Sequence, residues 1–387
     1  MAYSNNHFVP KLVLRRYDSE KLTVYDVKTG KIHKDMGLEK IFAEQDLYGE
    51  EVEKLLAKKI ESPFAQILNQ KLLPAKVGSE VELTRKELNI IKKFLLIEQA
   101  RIFLADKEHY YTFSQKVAKR QSEIFKYPFT ELEIENETVK ERWLRTLRVI
   151  IECEELRKIE KHELCTNEAF YWAQIYASGY LAIWDCTDTE EEFIVTDVGM
   201  TSEREVGAPA GIERDKKDYL EKMWITENDE RRKNTYFRLL YDQQTFHENF
   251  YMFSISKTRM LVIINPFFRL FDKAEKMPEP NIWPTMISRQ LYAKNKAPKL
   301  EKFKGEYIYR DSDLFRYRVQ KMPLEDLRWV NVLMLDRVQN ILGFSDIEKI
   351  ADSVCDYKDF CNNVLGCPMR VDYNPLIKYL KDNEIID

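Results

Sequence analysis

The spacing of apolar residues changes partway along this chain, and that change restricts the fold more than any other feature. In the first half, apolar residues recur every three and four positions, the spacing of an amphipathic helix. The clearest stripe lies between Asp46 and Leu73 and comprises Val52, Leu55, Leu56, Ile60, Phe64, Ile67 and Leu68. In the second half, short β-branched or aromatic runs such as 260–264 are typical of buried strands. The two patterns together predict an α+β protein.

The first half is predicted to hold a β-hairpin and several helices. Within a segment expected to be extended, 5–34, the alternating run 22–27 and the turn Lys28-Thr29-Gly30 predict the hairpin. Thr84 followed by Glu87 is a capping box and predicts the start of a helix. Further helices are predicted over 108–126, from 130 or 131 towards 163, and over 166–178.

The second half is predicted to be mixed β/α. Strands are expected at 180–184, 192–197, 250–255 and 260–264, and helices at 284–295, 324–341 and 345–362. The charged segment 213–249 is predicted to be a helical insertion. We therefore divide the chain into a helix-rich part with a hairpin, 1–128, and a mixed part, 129–387, which we expect to pack closely together rather than fold independently.

The amino-acid composition limits the cellular compartment and the kinds of binding partner that we expect. The 61 Lys and Arg residues against 65 Asp and Glu leave a net charge of −4, which argues against a dedicated duplex-binding protein, although a local basic cleft would be hidden in that sum. No apolar run is long enough to span a membrane, and the first residues do not resemble a signal peptide. The six cysteines contain no C-x-x-C pair. We expect a cytoplasmic protein without membrane association.

Most familiar catalytic motifs are absent from the sequence. There is no P-loop, no G-x-G-x-x-G, no G-x-S-x-G and no H-E-x-x-H, and the 11 glycines offer little phosphate-cradling backbone. Asp26-Val-Lys28 matches half of a nuclease site but is better interpreted as a solvated turn. Asp311-Ser-Asp313 could hold a cation, although helix capping is the favoured interpretation. The basic stretch 230–233, beside aromatic residues, fits either a solvated helix face or a grip on single strands.

Among the five histidines, His7 is the strongest functional candidate. It lies in Asn6-His7-Phe8-Val9-Pro10, just ahead of the apolar residues Leu12, Val13 and Leu14. Because an imidazole titrates near neutrality, a histidine fixed there could serve as a ligand or a general base. The alternative is a structural histidine bonded to a backbone carbonyl.

Several short motifs resemble one known family. Asn6-His7-Phe8-Val9-Pro10 followed by Leu14-Arg15-Arg16-Tyr17 is similar to the N-H-x-x-P…L-x-x-F start of the bacterial family called domain of unknown function 4238. Further similarities occur at Glu53 and Glu61, Gln99-Ala-Arg101, Phe193-Ile-Val-Thr-Asp197, Phe253-Ser-Ile-Ser256 and Asn331, so the resemblance covers about 5 to 345. Val198-Gly199 departs from the family's Asn-Pro after the aspartate. The resemblance supplies candidate positions but no reaction.

Two functional hypotheses follow from these residues. The first is a phosphodiester hydrolase, acting as a nuclease-like toxin or phage-defence effector on nucleic acid or a nucleotide. In it, His7, Glu61 and Asp197 are catalytic, and Asn6, Gln99 and Arg101 bind substrate, with Mg²⁺ or Mn²⁺ as the metal that could assist. The second is a non-catalytic binding or regulatory protein in which the same residues are structural, for example through a buried Arg101–Glu61 salt bridge. A site open to solvent favours the first hypothesis, and a sealed, fully hydrogen-bonded network the second.

Overall fold

The computed structural model describes residues 5–105 except 19 and 46, 128–204, 248–264, 287–303 except 292–294, and 306–386 except 366, together with 222, 226 and 228. The predicted helix at 108–126 and the basic stretch 230–233 lie outside the described residues, as do most of 213–249 and part of 284–295. Among the described residues, no helix is both long and apolar enough to cross a membrane. The α+β fold class is confirmed.

The centre of the fold is a seven-stranded sheet with helices on both faces. Its strands are β5 (Glu80–Thr84), β6 (Tyr180–Asp185), β8 (Thr201–Arg204), β9 (Glu248–Ser254), β10 (Arg259–Ile264), β11 (Asn295–Lys296) and β14 (Leu314–Lys321). Neighbours run in the order β11-β14-β6-β10-β9-β8, with β5 also paired to β14. Only the β14–β6 pair is parallel within this sheet of the described chain. Side chains therefore alternate between two buried faces.

Smaller sheets complete the strand set. The second sheet has the order β3-β2-β15-β7 and is antiparallel throughout. It consists of the hairpin strands β2 (Lys21–Asp26) and β3 (Lys31–Gly37), with β7 (Val195–Thr196) and β15 (Ile341–Phe344). Two short pairs are β1 (Asn5–His7) with β4 (Ala43–Gln45), and β12 (Lys302–Phe303) with β13 (Glu306–Tyr307). The predicted hairpin is thus confirmed, and β15 joins it to the far end of the chain.

The helices form two layers, one on each face of the central sheet. Those from the first half of the chain are α1 (Lys11–Leu14), α2 (Glu50–Leu56), α3 (Ser62–Ile67), α4 (Arg85–Ala105), α5 (Val139–Glu152) and α6 (Asn167–Ser178). Those from the end of the chain are α7 (Leu324–Arg337), α8 (Ala351–Asp359) and α9 (Asn374–Asp382). One core cluster joins the first layer to Leu181 and Ile183 of β6, and another joins the second layer to Ala182 and Trp184.

Local sequence signals explain where several of these helices begin. Thr84 and Glu87 form the predicted capping box before α4. A second box, Thr138 with Glu141, starts α5, so the expected helix from 130 or 131 was placed too early and too long. The helical span predicted between 46 and 73 is present, but its turns at Ala57–Glu61 and Leu68–Leu72 are π-helical.

Other predicted bounds were wrong for identifiable reasons. The segment 5–34 is not extended throughout, because α1 interrupts it directly after Pro10, a residue that favours a helix start. The strand predicted at 192–197 is paired only at β7, since the residues before it form loop contacts. The helix predicted to reach 341 ends at Arg337, and 341–344 forms strand β15. In such a short apolar run, periodicity alone does not distinguish a strand from a helix.

The division of the chain at 128 stays a prediction. The first core cluster contains residues on both sides of it, from Val9 to Val319. Strand β15 likewise pairs with β2 across more than three hundred positions of sequence.

Candidate functional site

A group of six polar residues, here called the polar cluster, lies where β1, α2, the π-helical turn and α4 meet. Its members are His7, Tyr48, Glu53, Glu61, Glu98 and Arg101. Around it the first core cluster is apolar, so each buried polar atom needs a partner to offset its desolvation.

Asn6 fastens the N-terminal strand beside the polar cluster. Its side chain is fully buried, and its Oδ1 accepts a hydrogen bond from the Leu47 backbone N–H at 2.8 Å. Its Nδ2 donates to Glu53 Oε2 at 2.9 Å. The asparagine predicted to bind substrate therefore positions strand β1 against α2, one residue before His7.

Arg101 is the centre of the polar cluster. Its side chain is only 3% exposed; Nη2 donates to Glu61 Oε1 at 2.8 Å, and Nη1 donates to Glu98 Oε1 at 2.7 Å. The Nε group, also buried, has no hydrogen-bond partner among the described residues. The guanidinium lies 5.5 Å from the centre of the Tyr48 ring. The Arg101–Glu61 salt bridge considered from sequence is thus present, but it leaves one donor unused.

Glu98 and Tyr48 line the deep side of the cluster. Burial raises the pKa of Glu98 to about 8, because desolvation outweighs the attraction of Arg101. The Tyr48 ring stacks on Trp143 with centroids 5.5 Å apart, and its buried hydroxyl has no partner among the described residues. Burial also raises the pKa of Tyr48. At neutral pH both groups therefore carry a proton.

His7, the last residue of strand β1, also belongs to the cluster. Both ring nitrogens are buried, and neither has a hydrogen-bond partner in the described part of the chain. Burial lowers the pKa of His7, and the positive charges of Lys11 and Arg101 lower it further. The carboxylate of Glu39 and the backbone of Ile41 favour the protonated ring, but neither makes a hydrogen bond of normal geometry with it. His7 is therefore a neutral imidazole at pH 7.

The cluster opens to solvent along one side. Arg101 and Glu98 are buried, whereas His7, Glu53 and Glu61 are each partly exposed. Burial and the charge of Glu61 raise the pKa of Glu53. Glu61 lies in the π-helical turn Ala57–Glu61, and such turns recur at functional sites. The cluster is thus not fully hydrogen-bonded, and it reaches solvent at this edge, whereas its guanidinium, its phenol and both imidazole nitrogens are buried.

Gln99 is not brought into the cluster by its contacts. It follows Glu98 on α4 and therefore points about 100° around the helix from it. Its Oε1 accepts a hydrogen bond from the Tyr176 hydroxyl at 2.5 Å, inside the core. This contact joins α4 to α6, so substrate binding by Gln99 stays a prediction without support from its surroundings.

Asp197 is also engaged elsewhere. Its carboxylate accepts backbone hydrogen bonds from Gln339, Asn340 and Ile341 at 3.0, 2.7 and 3.3 Å, and another from Asn340 Nδ2 at 3.1 Å. It thereby holds the turn between α7 and β15. The catalytic role assigned to Asp197 stays a prediction, and its hydrogen bonds are those of a structural residue.

The loop after Asp197 nevertheless closes against the cluster. Gly199 has a φ of +71°, and a Cβ at this position would lie 3.3 Å from Val9 and 3.7 Å from Glu98 Oε2. A glycine is favoured there by its backbone conformation. The difference from the family's Asn-Pro at Val198-Gly199 therefore affects how this loop packs beside Glu98.

The weak metal and nuclease patterns have structural contacts. Among the described residues, no group of three or more His, Cys, Asp or Glu side chains is placed to hold a metal ion. Asp313 pairs with Arg85 at 2.7 Å and also accepts the Arg310 backbone N–H. Asp26 accepts the Thr29 backbone N–H within the hairpin turn. The solvated-turn interpretation fits these contacts. The helix capping expected at Asp311-Ser-Asp313 was wrong, because strand β14 follows this turn.

Sequence reasoning missed Glu98 and Tyr48 as members of the site. Glu98 could have been found, because it lies three residues before Arg101 on a predicted helix and therefore on the same face. No local signal marks Tyr48, whose role comes from tertiary packing on Trp143.

Comparison with known proteins identifies one similarity. The family model "Protein of unknown function (DUF4238)" matches residues 5–346, nearly nine-tenths of the chain. This match confirms the resemblance seen in the short motifs. No curated protein and no solved structure matches the chain.

Proposed function

The chain belongs to the DUF4238 family of proteins of unknown function, and we propose that its polar cluster is the active site of a hydrolase acting on phosphodiesters. One observation carries the proposal: a neutral His7 and a protonated Glu98 share one polar cluster with a buried arginine that has an unused donor. Groups whose surroundings push their pKa values apart at one site are the usual arrangement of a catalytic base and acid.

Each residue of the polar cluster has its own role in the proposed hydrolysis. His7, neutral at pH 7, accepts the proton of the attacking water. Glu98 holds the proton that the departing oxygen needs, and the two residues regain their starting states by exchanging protons with solvent. Arg101 and the Tyr48 hydroxyl are placed to stabilise negative charge on the phosphoryl oxygens. Glu61 and Glu53, at the open side, orient the guanidinium and Asn6.

A phosphodiester is the substrate class that suits these charges. A guanidinium recognises phosphoryl oxygens, and Lys11, ion-paired with Glu39, lies near His7. Mg²⁺ or Mn²⁺ held jointly by substrate and the partly exposed carboxylates of Glu53 and Glu61 would fit the same reaction. A cytoplasmic location is proposed with it, supported by the six free cysteines.

The test uses purified protein with bis(4-nitrophenyl) phosphate, single-stranded RNA and single-stranded DNA, each with Mg²⁺, Mn²⁺ or EDTA. His7→Ala and Glu98→Gln are each expected to reduce turnover on the order of 10²-fold or more while folding is retained. His33→Ala, at an exposed histidine of the hairpin, is one control. Glu191→Gln is the other, because Glu191 is equally buried and paired with Arg328 but lies outside the cluster.

The pH profile gives a second readout. Activity should rise through a His7 pKa below 6.5 and fall through the Glu98 pKa of about 8. Glu98→Gln should abolish the decline at high pH. Turnover unchanged by either substitution in the cluster would contradict the proposal. Arrest of bacterial growth by the wild type, but not by His7→Ala, would extend it to a toxin or phage-defence effector.

A non-catalytic binding or regulatory protein is the second candidate. It is supported by the pairing of both terminal nitrogens of Arg101 and by the backbone contacts of Asp197. Under this hypothesis, wild-type protein shows no turnover with any substrate or metal, and Arg101→Gln lowers stability without removing any activity.

A further inference from the structure

We propose that a basic cleft, separate from the polar cluster, binds the phosphate of a nucleotide, either free or within a polynucleotide chain. The cleft has a volume of ≈ 560 Å³, within the range of small-molecule sites. Its charged lining comprises the cations Arg15, Arg16, Lys257 and Lys349 and the carboxylates Asp18 and Asp346. Cations outnumber carboxylates four to two in a chain whose net charge is −4. Such a local excess is the electrostatic footprint of an anion site.

The cations of the cleft are mostly unpaired. Arg16 donates to Asn69 Oδ1 at 2.5 Å. Within the described parts of the chain, the side chains of Arg15, Lys257 and Lys349 make no hydrogen bond or ion pair, and Lys257 acts on the buried Glu192 only through its charge. Elsewhere on the surface, cations such as Arg310 and Lys296 have carboxylate partners. Like charges gathered without partners repel each other, so an anionic ligand would relieve that repulsion.

The carboxylates of the cleft do not neutralise these cations directly. Asp346 Oδ1 accepts the Glu348 backbone N–H at 3.1 Å, which fixes the start of the turn before α8. Asp18 also has its own interactions.

The cleft is built on buried contacts between distant segments. Tyr17, in its wall, is 2% exposed and donates from its hydroxyl to the Ile194 carbonyl at 3.0 Å. Ser345 donates from its backbone N–H and its hydroxyl to the buried Glu192 at 2.7 and 2.5 Å. The Phe193 backbone N–H also donates to the Lys257 carbonyl at 2.9 Å. Together these contacts hold the segments that carry the four cations in fixed relation, so the site is preorganised.

The short helix α1 lies between the two sites. Lys11, at its start, affects the charge on His7, and Arg15 directly follows its end. The cleft could therefore hold one part of a chain whose scissile bond lies at the polar cluster. Binding at the cleft does not depend on the reaction proposed for the cluster, and it is measured separately.

The test measures binding of fluorescein-labelled oligothymidylate and of adenosine 5′-monophosphate to the full chain in EDTA. The triple variant Arg15→Gln, Lys257→Gln, Lys349→Gln is expected to bind the oligonucleotide with an affinity lower by a factor of about ten or more. The slope of log K against log salt concentration should fall by about 2, since each single-strand phosphate contact contributes about 0.7. The matched control is Lys58→Gln, Lys140→Gln, Lys378→Gln, which removes the same charge from exposed positions outside the cleft.

Two outcomes support the proposal and distinguish the source of the phosphate. If the cleft triple variant loses binding of both ligands, the site recognises the phosphate of a single nucleotide. Loss of the oligonucleotide, with no binding of the mononucleotide to the wild type, assigns it to a polynucleotide chain. The proposal is overturned if wild-type protein binds neither ligand, or if the control triple variant weakens binding as much as the cleft variant does. Failure of the hydrolase assays leaves these results unchanged.

Discussion

Glu98 and Glu191 are both buried carboxyls paired with an arginine that also bonds a second carboxylate, Glu61 in the first case and Asp352 in the second. In both, burial raises the pKa of the carboxyl despite the nearby guanidinium. Around Glu98, the charge of Glu61 adds to that effect and brings the pKa to about 8. The two sites differ in depth, because the Arg101 side chain is 3% exposed and the Arg328 side chain is 29% exposed. At the scale of single residues, the deeper Glu98 site is therefore the stronger functional candidate.

The raised pKa of Glu98 should make folding stability depend on pH. Folded protein binds this proton up to about pH 8, whereas the unfolded chain releases it near 4.5. Stability is therefore lost as pH rises between these values, by about 1.4 kcal/mol for each pH unit. Urea unfolding at pH 5 and pH 8 should show this loss in the wild type and not in Glu98→Gln. Parallel curves for the two proteins would show that Glu98 titrates normally.

Asp197→Ala is expected to destabilise the fold. The substitution leaves the backbone N–H groups of Gln339, Asn340 and Ile341 without their acceptor in a partly buried turn, which should cost about 2 kcal/mol. Asp188→Ala, at an exposed aspartate paired with Lys321, should change stability by less than about 0.5 kcal/mol. Chemical denaturation measures both. An Asp197→Asn protein that folds normally but loses turnover would instead make Asp197 catalytic, as the sequence predicts.

At the scale of elements, helix α4 carries the site, and its start is fixed by the Thr84–Glu87 capping box. Thr84→Ala should lower the free energy of unfolding by about 1 kcal/mol, because the Glu87 backbone N–H loses its side-chain acceptor. Thr84→Ser keeps the hydroxyl and serves as the control. Thr138→Ala, in the matching box of α5, should cost a similar amount. Thermal unfolding would contradict the argument if Thr84→Ser were as destabilised as Thr84→Ala.

An element could be predicted from the sequence when the residues that determine it are close together in the chain. The hairpin and the start of α4 were predicted correctly, because a glycine turn and a capping box are local. Strands β5 and β14 were missed, since half of each faces solvent and their pairing partner is remote. Arg101 and Glu61 were predicted as a pair, and they meet. Asp197 was placed with them by motif alone, whereas its hydrogen bonds depend on a turn almost 150 positions further along the chain.

At the scale of the whole molecule, strand β15 joins parts of the chain that are far apart in sequence. It pairs with β2 of the N-terminal hairpin on one side and with β7 on the other. Gly343 lies at the closest approach, where an added Cβ would be 2.7 Å from Leu22 and 2.9 Å from Val195. An added Cβ there would force the buried Leu22 and Val195 side chains to shift.

Gly343→Ala should therefore lower the unfolding free energy of the whole molecule rather than loosen one strand locally. We expect a loss of about 1 to 3 kcal/mol, because overpacking at this point strains the sheet that links the hairpin to the C-terminal helices. Gly37→Ala is the control, since a Cβ at Gly37 meets nothing within 4 Å. If the chain folds as one cooperative unit, far-UV circular dichroism and tryptophan fluorescence should report a single transition that shifts together in Gly343→Ala. Two separate transitions, with only one of them shifted, would instead show that the parts divided at residue 128 unfold independently.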